Sequence, residues 1–274
     1  MTHLVQASAS NVAQSLQGFG IAVTRPTGQA NKLNALIQAC GGQAFAYPLI
    51  AITPLLDYSA FEQSIASLEK TDWAIFISSN AVQNGLLRVL KQYKKLPAQL
   101  NFAAIGPVTA SELLALGKAA GLQKVLTPNE RFDSESLLNL TQMQAIQGKN
   151  VLIFRGVGGR EVLADTLTAR GAHVRFAECY QRVNPQVDCI MLENLVAAQQ
   201  CHALVITSSE AMRALLALTD NGKQPWLKQV AICVNHARIA KEVIGLDLNL
   251  QVATAPGDAA MLACIKNALI NQSS

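Results

Sequence analysis

Short apolar runs alternate with amphipathic stretches along most of the chain. "GIAVTR", "AFAYPLIAI", "WAIFIS", "NFAAIG" and "KVLTP" come first, then "NVLIFR", "HVRFAECY", "ALVITS", "VAICV" and "LQVATA". Continuous apolar runs of this length, rich in β-branched and aromatic residues, predict strands buried on both faces, and the helical patterns of about 10 to 15 residues between them predict crossovers. The pattern as a whole predicts an α/β protein with parallel sheets covered on both sides.

The chain also repeats itself. At an offset of 130 residues, Arg25 falls on Arg155, Gly28 on Gly158, Leu33 on Leu163 and Gly41 on Gly171. Ser78 and Ser79 fall on Ser208 and Ser209, Ala81 on Ala211, Ala110 on Ala240 and Glu112 on Glu242. The matches keep their order and sit at equivalent strand-to-helix junctions. A period this long is no solenoid, so two duplicated halves with five strand-like runs each are expected. No Gly/Ser- or Pro-rich linker separates them: "LTQMQAIQGKN" is a helix end, a turn and the entry to the next strand. Exchange of segments between the halves therefore stays open.

Composition narrows the class. A chain of 274 residues can bury two cores, and with 50% apolar and 15% charged residues it is packed rather than disordered. The net charge of +4 is mild, and three lysines between Lys91 and Lys95 are too few for a nucleic-acid patch. The six cysteines lack CxxC spacing and histidine partners in metal-ligand register, which predicts reduced core residues and no metal. Residues 1–18 resemble no signal peptide and no apolar run approaches the roughly 20 residues that span a bilayer. A cytoplasmic protein with no membrane partner and a loose tail over 1–18 is expected.

Chemistry is expected at the carboxyl ends of the strands, where loops expose backbone N–H groups and helix amino termini favour anions. "TRPTGQ" (24–29) pairs with "FRGVGGRE" (154–161), and "SSNA" (78–81) with "SSEA" (208–211). In "RGVGGRE", Gly156, Gly158 and Gly159 let the backbone approach a ligand, while Arg155 and Arg160 offer forked donors for carboxylate or phosphate. The bland alternative is a turn at Gly158 with Arg160 paired to Glu161 or to solvent. The serine pairs are either helix N-caps or ligand donors. In "AAIGPVTASEL", Thr109 and Glu112 have capping-box spacing, so Thr109 is a cap or a donor to ligand. The partner loop "CVNHARIAKEV" carries Asn235, His236 and Arg238, with no nucleophile motif around the histidine. Neither a P-loop nor a dinucleotide fingerprint occurs, which disfavours a nucleotide-dependent enzyme.

The segments "VTRP" (23–26), "SSNAV" (78–82), "AIGPVTA" (104–110), "FDSESLL" (132–138) and above all "LIFRGVGGREVLADTLTARGAHVRFAECYQR" (152–182) resemble the uroporphyrinogen-III synthase family. The resemblance implies an enzyme of tetrapyrrole biosynthesis that cyclises linear hydroxymethylbilane with loss of water and inversion of ring D. It implies no cofactor, a monomer, and the upstream hydroxymethylbilane synthase as a candidate partner. The implied fold is two flavodoxin-like parallel-sheet α/β domains joined by a two-stranded β-ladder and facing each other across a cleft. Domain one would be 1–50 plus 183–274 and domain two 53–180, with "AFAYPLIAI" and "HVRFAECYQRV" crossing between them.

The substrate carries eight carboxylate arms. Carried onto this chain, the residues implied to hold it are Arg25, Pro26, Ser78, Ser79, Asn80, Gly106, Thr109, Arg155, Gly156, Gly158, Gly159, Arg160, Ser208, Ser209 and Arg238. Tyr180, in "AECYQR", matches a tyrosine that the family places at the cleft, where its phenol donates a proton to the departing hydroxyl. A packing role for that tyrosine is the alternative. Where some members have a threonine pair in the second-half version of "GPVTA", this chain has Arg238 and Ile239 and so offers no threonine there. The competing functional class is a non-catalytic two-domain protein that binds or senses small anions.

Overall fold

The computed structural model describes residues 15–129 and 131–270. Among these are ten strands: β1 (Gly20–Val23), β2 (Gln43–Ala46), β3 (Ala51–Thr53), β4 (Trp73–Phe76), β5 (Asn101–Ala104), β6 (Asn150–Gly156), β7 (His173–Val183), β8 (Ala203–Ile206), β9 (Ala231–Val234) and β10 (Leu250–Val252). The chain divides into two compact units, residues 1–51 with 183–274 and residues 52–182.

In the first unit the strand order is β2-β1-β8-β9-β10, and every neighbouring pair is parallel. This is the doubly wound order in which the chain reverses direction across the sheet between β1 and β8, and ligands bind at the carboxyl ends beside such a switch point. In the second unit the order is β3-β7-β6-β4-β5, with β7/β6, β6/β4 and β4/β5 parallel. Once β6 is matched to β1, the run β7-β6-β4-β5 repeats β2-β1-β8-β9. The offset of 130 residues is thus a repeat of topology: Arg155 lies in β6 where Arg25 follows β1, and Ser78 follows β4 as Ser208 follows β8. The chain passes between the units at 51/52 and 182/183, and the strands that carry these passages, β3 and β7, are neighbours in one sheet.

Two expected strands differ. "AFAYPLIAI" is broken into β2 and β3, because Pro48 has no N–H to give to a ladder and Tyr47 and Leu49 bond back to Val23 and Thr24 instead. "KVLTP" shrinks to one bridge, Leu126 with Ala103, held by Leu126 N–H to Phe102 O and Ala104 N–H to Leu126 O, both 2.8 Å. Pro128 follows two residues later and ends the pairing. Of the tail expected over 1–18, residues 1–14 lie outside the described residues. Leu16 is not loose: its side chain is buried in the first unit's core and its N–H reaches Cys40 O at 2.8 Å.

Alternation along the strands of the second unit sorts two cores onto opposite faces of the sheet. Ala74, Phe76, Leu152 and Phe154 face one cluster with Phe61, Val82 and Leu86. Ile75, Val151 and Ile153 face the other, with Leu137, Leu163 and Leu167 from the covering helices. Phe76 and Phe154 stack with centroids 4.1 Å apart. In the first unit Ile21, Val23, Ala203, Val205 and Cys233 pack under Leu33, Ile37, Met261 and Ile265 of the helices Asn31–Ala39 and Asp258–Ile270. Each buried aliphatic or aromatic side chain contributes about 1.5 to 3 kcal/mol, so these clusters anchor the strands from which the loops leave.

Candidate functional site

A polar cluster in the second unit lies at the carboxyl ends of β4, β6 and β7, at the switch point between β4 and β6. The ladder between β6 and β7 runs Phe154↔Ala177, Arg155↔Glu178, Gly156↔Tyr180, so β7 takes up one extra residue at Cys179. That irregularity brings the Tyr180 ring against the Gly156 backbone. A Cβ on residue 156 would stand 2.6 Å from Tyr180 Cε2 and 2.8 Å from Cζ, so only glycine fits. The Tyr180 ring is wholly buried. Its hydroxyl lies 3.2 Å from Ser78 Oγ and accepts from Arg182 Nη2 at 3.0 Å. Beside it the Cys179 thiol, pushed up to about 12 by burial, stays protonated and bonds the carbonyls of Arg155 and Ala81.

Ser78 is half-buried and caps the helical run over 79–92, its Oγ accepting from Ala81 N–H at 3.1 Å. Ser208 repeats the device in the first unit, capping Ser209–Leu218 from Ala211 N–H at 3.1 Å. The capping alternative is therefore real for both serines, and Ser78 additionally touches Tyr180. Ser79, Asn80 and Ser209 follow the caps and are half-buried. The Oγ of Ser209 and the Oδ1 of Asn235, at the ends of β8 and β9, are buried without a hydrogen-bond partner in the protein. Asn235, noted in sequence as part of the loop that carries His236 and Arg238, thus adds an unpartnered acceptor oxygen at the end of β9. His236 caps the helix Ala237–Ala240, its Nδ1 accepting from Arg238 N–H at 3.0 Å, and Arg238 is exposed.

The glycine loop owes its shape to Arg155. This arginine is 3% exposed, and it turns onto its own loop. Its Nε donates to Gly156 O at 3.2 Å, its Nη2 to Gly158 O, and its guanidinium lies 4.4 Å from the Phe176 ring. Glu178 closes the other side by accepting from Gly158 N–H at 3.2 Å. Gly158 (φ +68°) and Gly159 (φ +105°) adopt left-handed backbone that a side chain would strain. Two of the donors that the sequence offers to a ligand at Arg155, Nε and Nη2, thus go to carbonyls of its own loop. Arg160 is exposed and pairs with Glu135 at 2.8 Å rather than with Glu161. Arg25, half-buried like Pro26, pairs with Asp258 at 2.6 Å.

Thr109 and Glu112 form no capping box. Gly106 is the cap residue of the helix Pro107–Gly117, with proline in its first turn, and this places buried Thr109 inside the helix. Gly106 is itself covered by Phe132, 3.0 Å from where a Cβ would stand. All six cysteines are buried and free. Among the described residues no three His, Cys, Asp or Glu side chains come together as a metal site requires, and no helix is long and apolar enough to cross a membrane.

Comparison with known proteins places this arrangement. The family model described as uroporphyrinogen-III synthase HemD matches residues 31–263. The chain is 36% identical over 224 residues to the uroporphyrinogen-III synthase of Escherichia coli, a match that covers 81% of this chain and 89% of that one. It is 31% identical to the enzyme of the same name from Synechococcus elongatus over 73% of this chain and 74% of the relative. Its fold is similar to a crystal structure of mutant uroporphyrinogen III synthase from Thermus thermophilus, with TM-score 0.59 at 17% identity over 92% of this chain and 99% of that one. It also resembles the uroporphyrinogen-III synthetase structure from Helicobacter pylori, with TM-score 0.54 at 14% identity over 89% and 97%.

Proposed function

We infer that the chain, which belongs to the uroporphyrinogen-III synthase family, cyclises hydroxymethylbilane to uroporphyrinogen III, with loss of water and inversion of ring D. The observation that carries this is the extent of the match: the family model spans 31–263, including every strand-end loop described above except Arg25, Pro26 and their neighbours. The substrate is a flexible octacarboxylate that reacts readily once its ends meet, so the protein's task is chiefly to position it.

In this reading the loops at the carboxyl ends of the strands of each unit can take carboxylates, through N–H groups and hydroxyls and, in the second unit, through the exposed guanidinium of Arg160. Ser209 Oγ and Asn235 Oδ1 are polar atoms that lack a partner within the protein, and a hydroxyl such as that of Ser209 can donate to a carboxylate oxygen. Arg155 shapes the glycine loop rather than touching substrate. Tyr180 supplies the proton for the departing hydroxyl, and Ser78, half-buried and 3.2 Å from the phenol, is the path by which a wholly buried group reaches substrate. The protein works as a cytoplasmic monomer that receives its substrate from hydroxymethylbilane synthase.

The test is to incubate purified protein with hydroxymethylbilane and separate the isomers. The type III isomer is expected; only the type I isomer, formed without enzyme, would reject the assignment. Light scattering and co-elution with the upstream synthase test the monomer and the partner.

A further inference from the structure

We propose that Arg182 is a positioning residue for ring closure, one that fixes the direction in which the Tyr180 hydroxyl gives up its proton. The proposal rests on Tyr180 being the proton source.

Residues two apart on a strand face the same side, so Arg182 rises beside Tyr180 at the end of β7. Its Nη2 lies 3.0 Å from the phenol oxygen and its guanidinium carbon 5.3 Å from the ring centroid. A guanidinium has donors and no acceptor. The phenol oxygen therefore accepts from Arg182, and its single hydrogen is left for Ser78 Oγ at 3.2 Å. Ser78 Oγ accepts this hydrogen alongside the N–H of Ala81 at 3.1 Å, which leaves its own hydrogen to point away from both. The opposite polarity, Ser78 donating to Tyr180, would aim two donors at the phenol oxygen and leave the phenol hydrogen without an acceptor among these three groups. Arg182 thus sets a one-way chain from Tyr180 through Ser78 outward.

The same contact serves the moment of transfer. As the substrate C–O bond breaks, its electron pair leaves with the oxygen, which takes a proton from Ser78 and departs as water. Ser78 is resupplied from Tyr180, and the phenol oxygen keeps the O–H pair as negative charge beside the guanidinium. The proton released when the closing pyrrole recovers its aromatic ring returns to Tyr180 by the same route. Charge and protons then balance over the cycle. Preorganised donors aimed at developing charge act on the rate step rather than on binding.

Steady-state kinetics of Arg182→Ala, Arg182→Lys, Tyr180→Phe and the double variant Tyr180→Phe/Arg182→Ala test this, with circular dichroism to check folding. Arg182→Ala is expected to lower kcat about tenfold or more while KM stays within about twofold, as loss of a charge-assisted hydrogen bond made to the transition state would do. Arg182→Lys should restore part of the rate. On the Tyr180→Phe background, Arg182→Ala should cost nothing further. If Tyr180→Phe is slow while Arg182→Ala runs at the wild-type rate, or if the two losses multiply, the positioning role is overturned and the Tyr180 reading stands. A raised KM with unchanged kcat also overturns it and makes Arg182 a carboxylate contact. A Tyr180→Phe variant as fast as wild type removes both assignments together.

Discussion

Gly156→Ala is the smallest change that reaches the centre of the site. Its new methyl would stand 2.6 Å from Tyr180 Cε2, 2.8 Å from Cζ and 3.1 Å from Cδ2, where ordinary contact begins at 3.4 Å. The ring must retreat by nearly an ångström. It is wholly buried and held at 3.2 Å and 3.0 Å by Ser78 and Arg182, so any retreat stretches those bonds. Overpacking of this kind costs about 1 to 3 kcal/mol of stability. The misplacement is also felt in the rate, since a shift of about 1 Å in a reacting group can cost on the order of a hundredfold. Gly117→Ala is the matched control. It brings a methyl to 2.7 Å from Leu122 Cδ2 in the same core cluster but touches nothing at Tyr180. Urea unfolding and single-turnover kinetics on both variants check the reasoning. Both should lose stability, and only Gly156→Ala should lose kcat, by about tenfold or more. A folded Gly156→Ala enzyme with wild-type kcat would refute the claim that Tyr180's position matters.

Three further outcomes are expected. Arg155→Ala should loosen the glycine loop and lower stability by about 1 to 3 kcal/mol, because it leaves the carbonyls of Gly156 and Gly158 without their donor; unchanged urea unfolding would return Arg155 to a ligand role. Arg160→Ala should raise KM by an amount equivalent to about 1 to 3 kcal/mol if the guanidinium leaves Glu135 for a carboxylate of the substrate, while stability changes by less than about 1 kcal/mol, as for an exposed pair. Asp133 caps the helix Ser134–Leu138, and the hydrogen bond it accepts from Ser136 N–H at 2.8 Å holds its carboxyl below the ordinary carboxylate value. A depressed folded pKa stabilises above the unfolded value and is lost as pH falls, so Asp133→Ala should cost about 1 kcal/mol at pH 7 and progressively less below about pH 4 in urea titrations.

Much of the architecture was legible because burial on both faces forces continuous apolar runs, and because duplication left Arg25/Arg155 and Ser78/Ser208 at equal spacing. What escaped the sequence depends on local competition for backbone groups. Pro48 splits one expected strand, and Pro107 starts a helix ahead of the threonine-glutamate pair that looked like its cap; a proline at the first helical position was the available signal. The direction of Arg155 was not legible, since nothing local tells whether a loop arginine faces solvent or the carbonyls its neighbouring glycines expose. Arg182 escaped notice although its position two residues after Tyr180 on a strand puts the two on one face. The burial of Tyr180 depends on the irregular ladder at Cys179, a feature of pairing between strands distant in sequence.

In the function proposed for this chain, the buried phenol of Tyr180 is the source of the proton for ring closure. The most direct test is the single-turnover rate of uroporphyrinogen III formation by Tyr180→Phe, measured beside its affinity for the substrate. The expected result is a rate about a hundredfold or more below wild type, with affinity and circular dichroism unchanged; a variant that closes the ring as fast as wild type would contradict it.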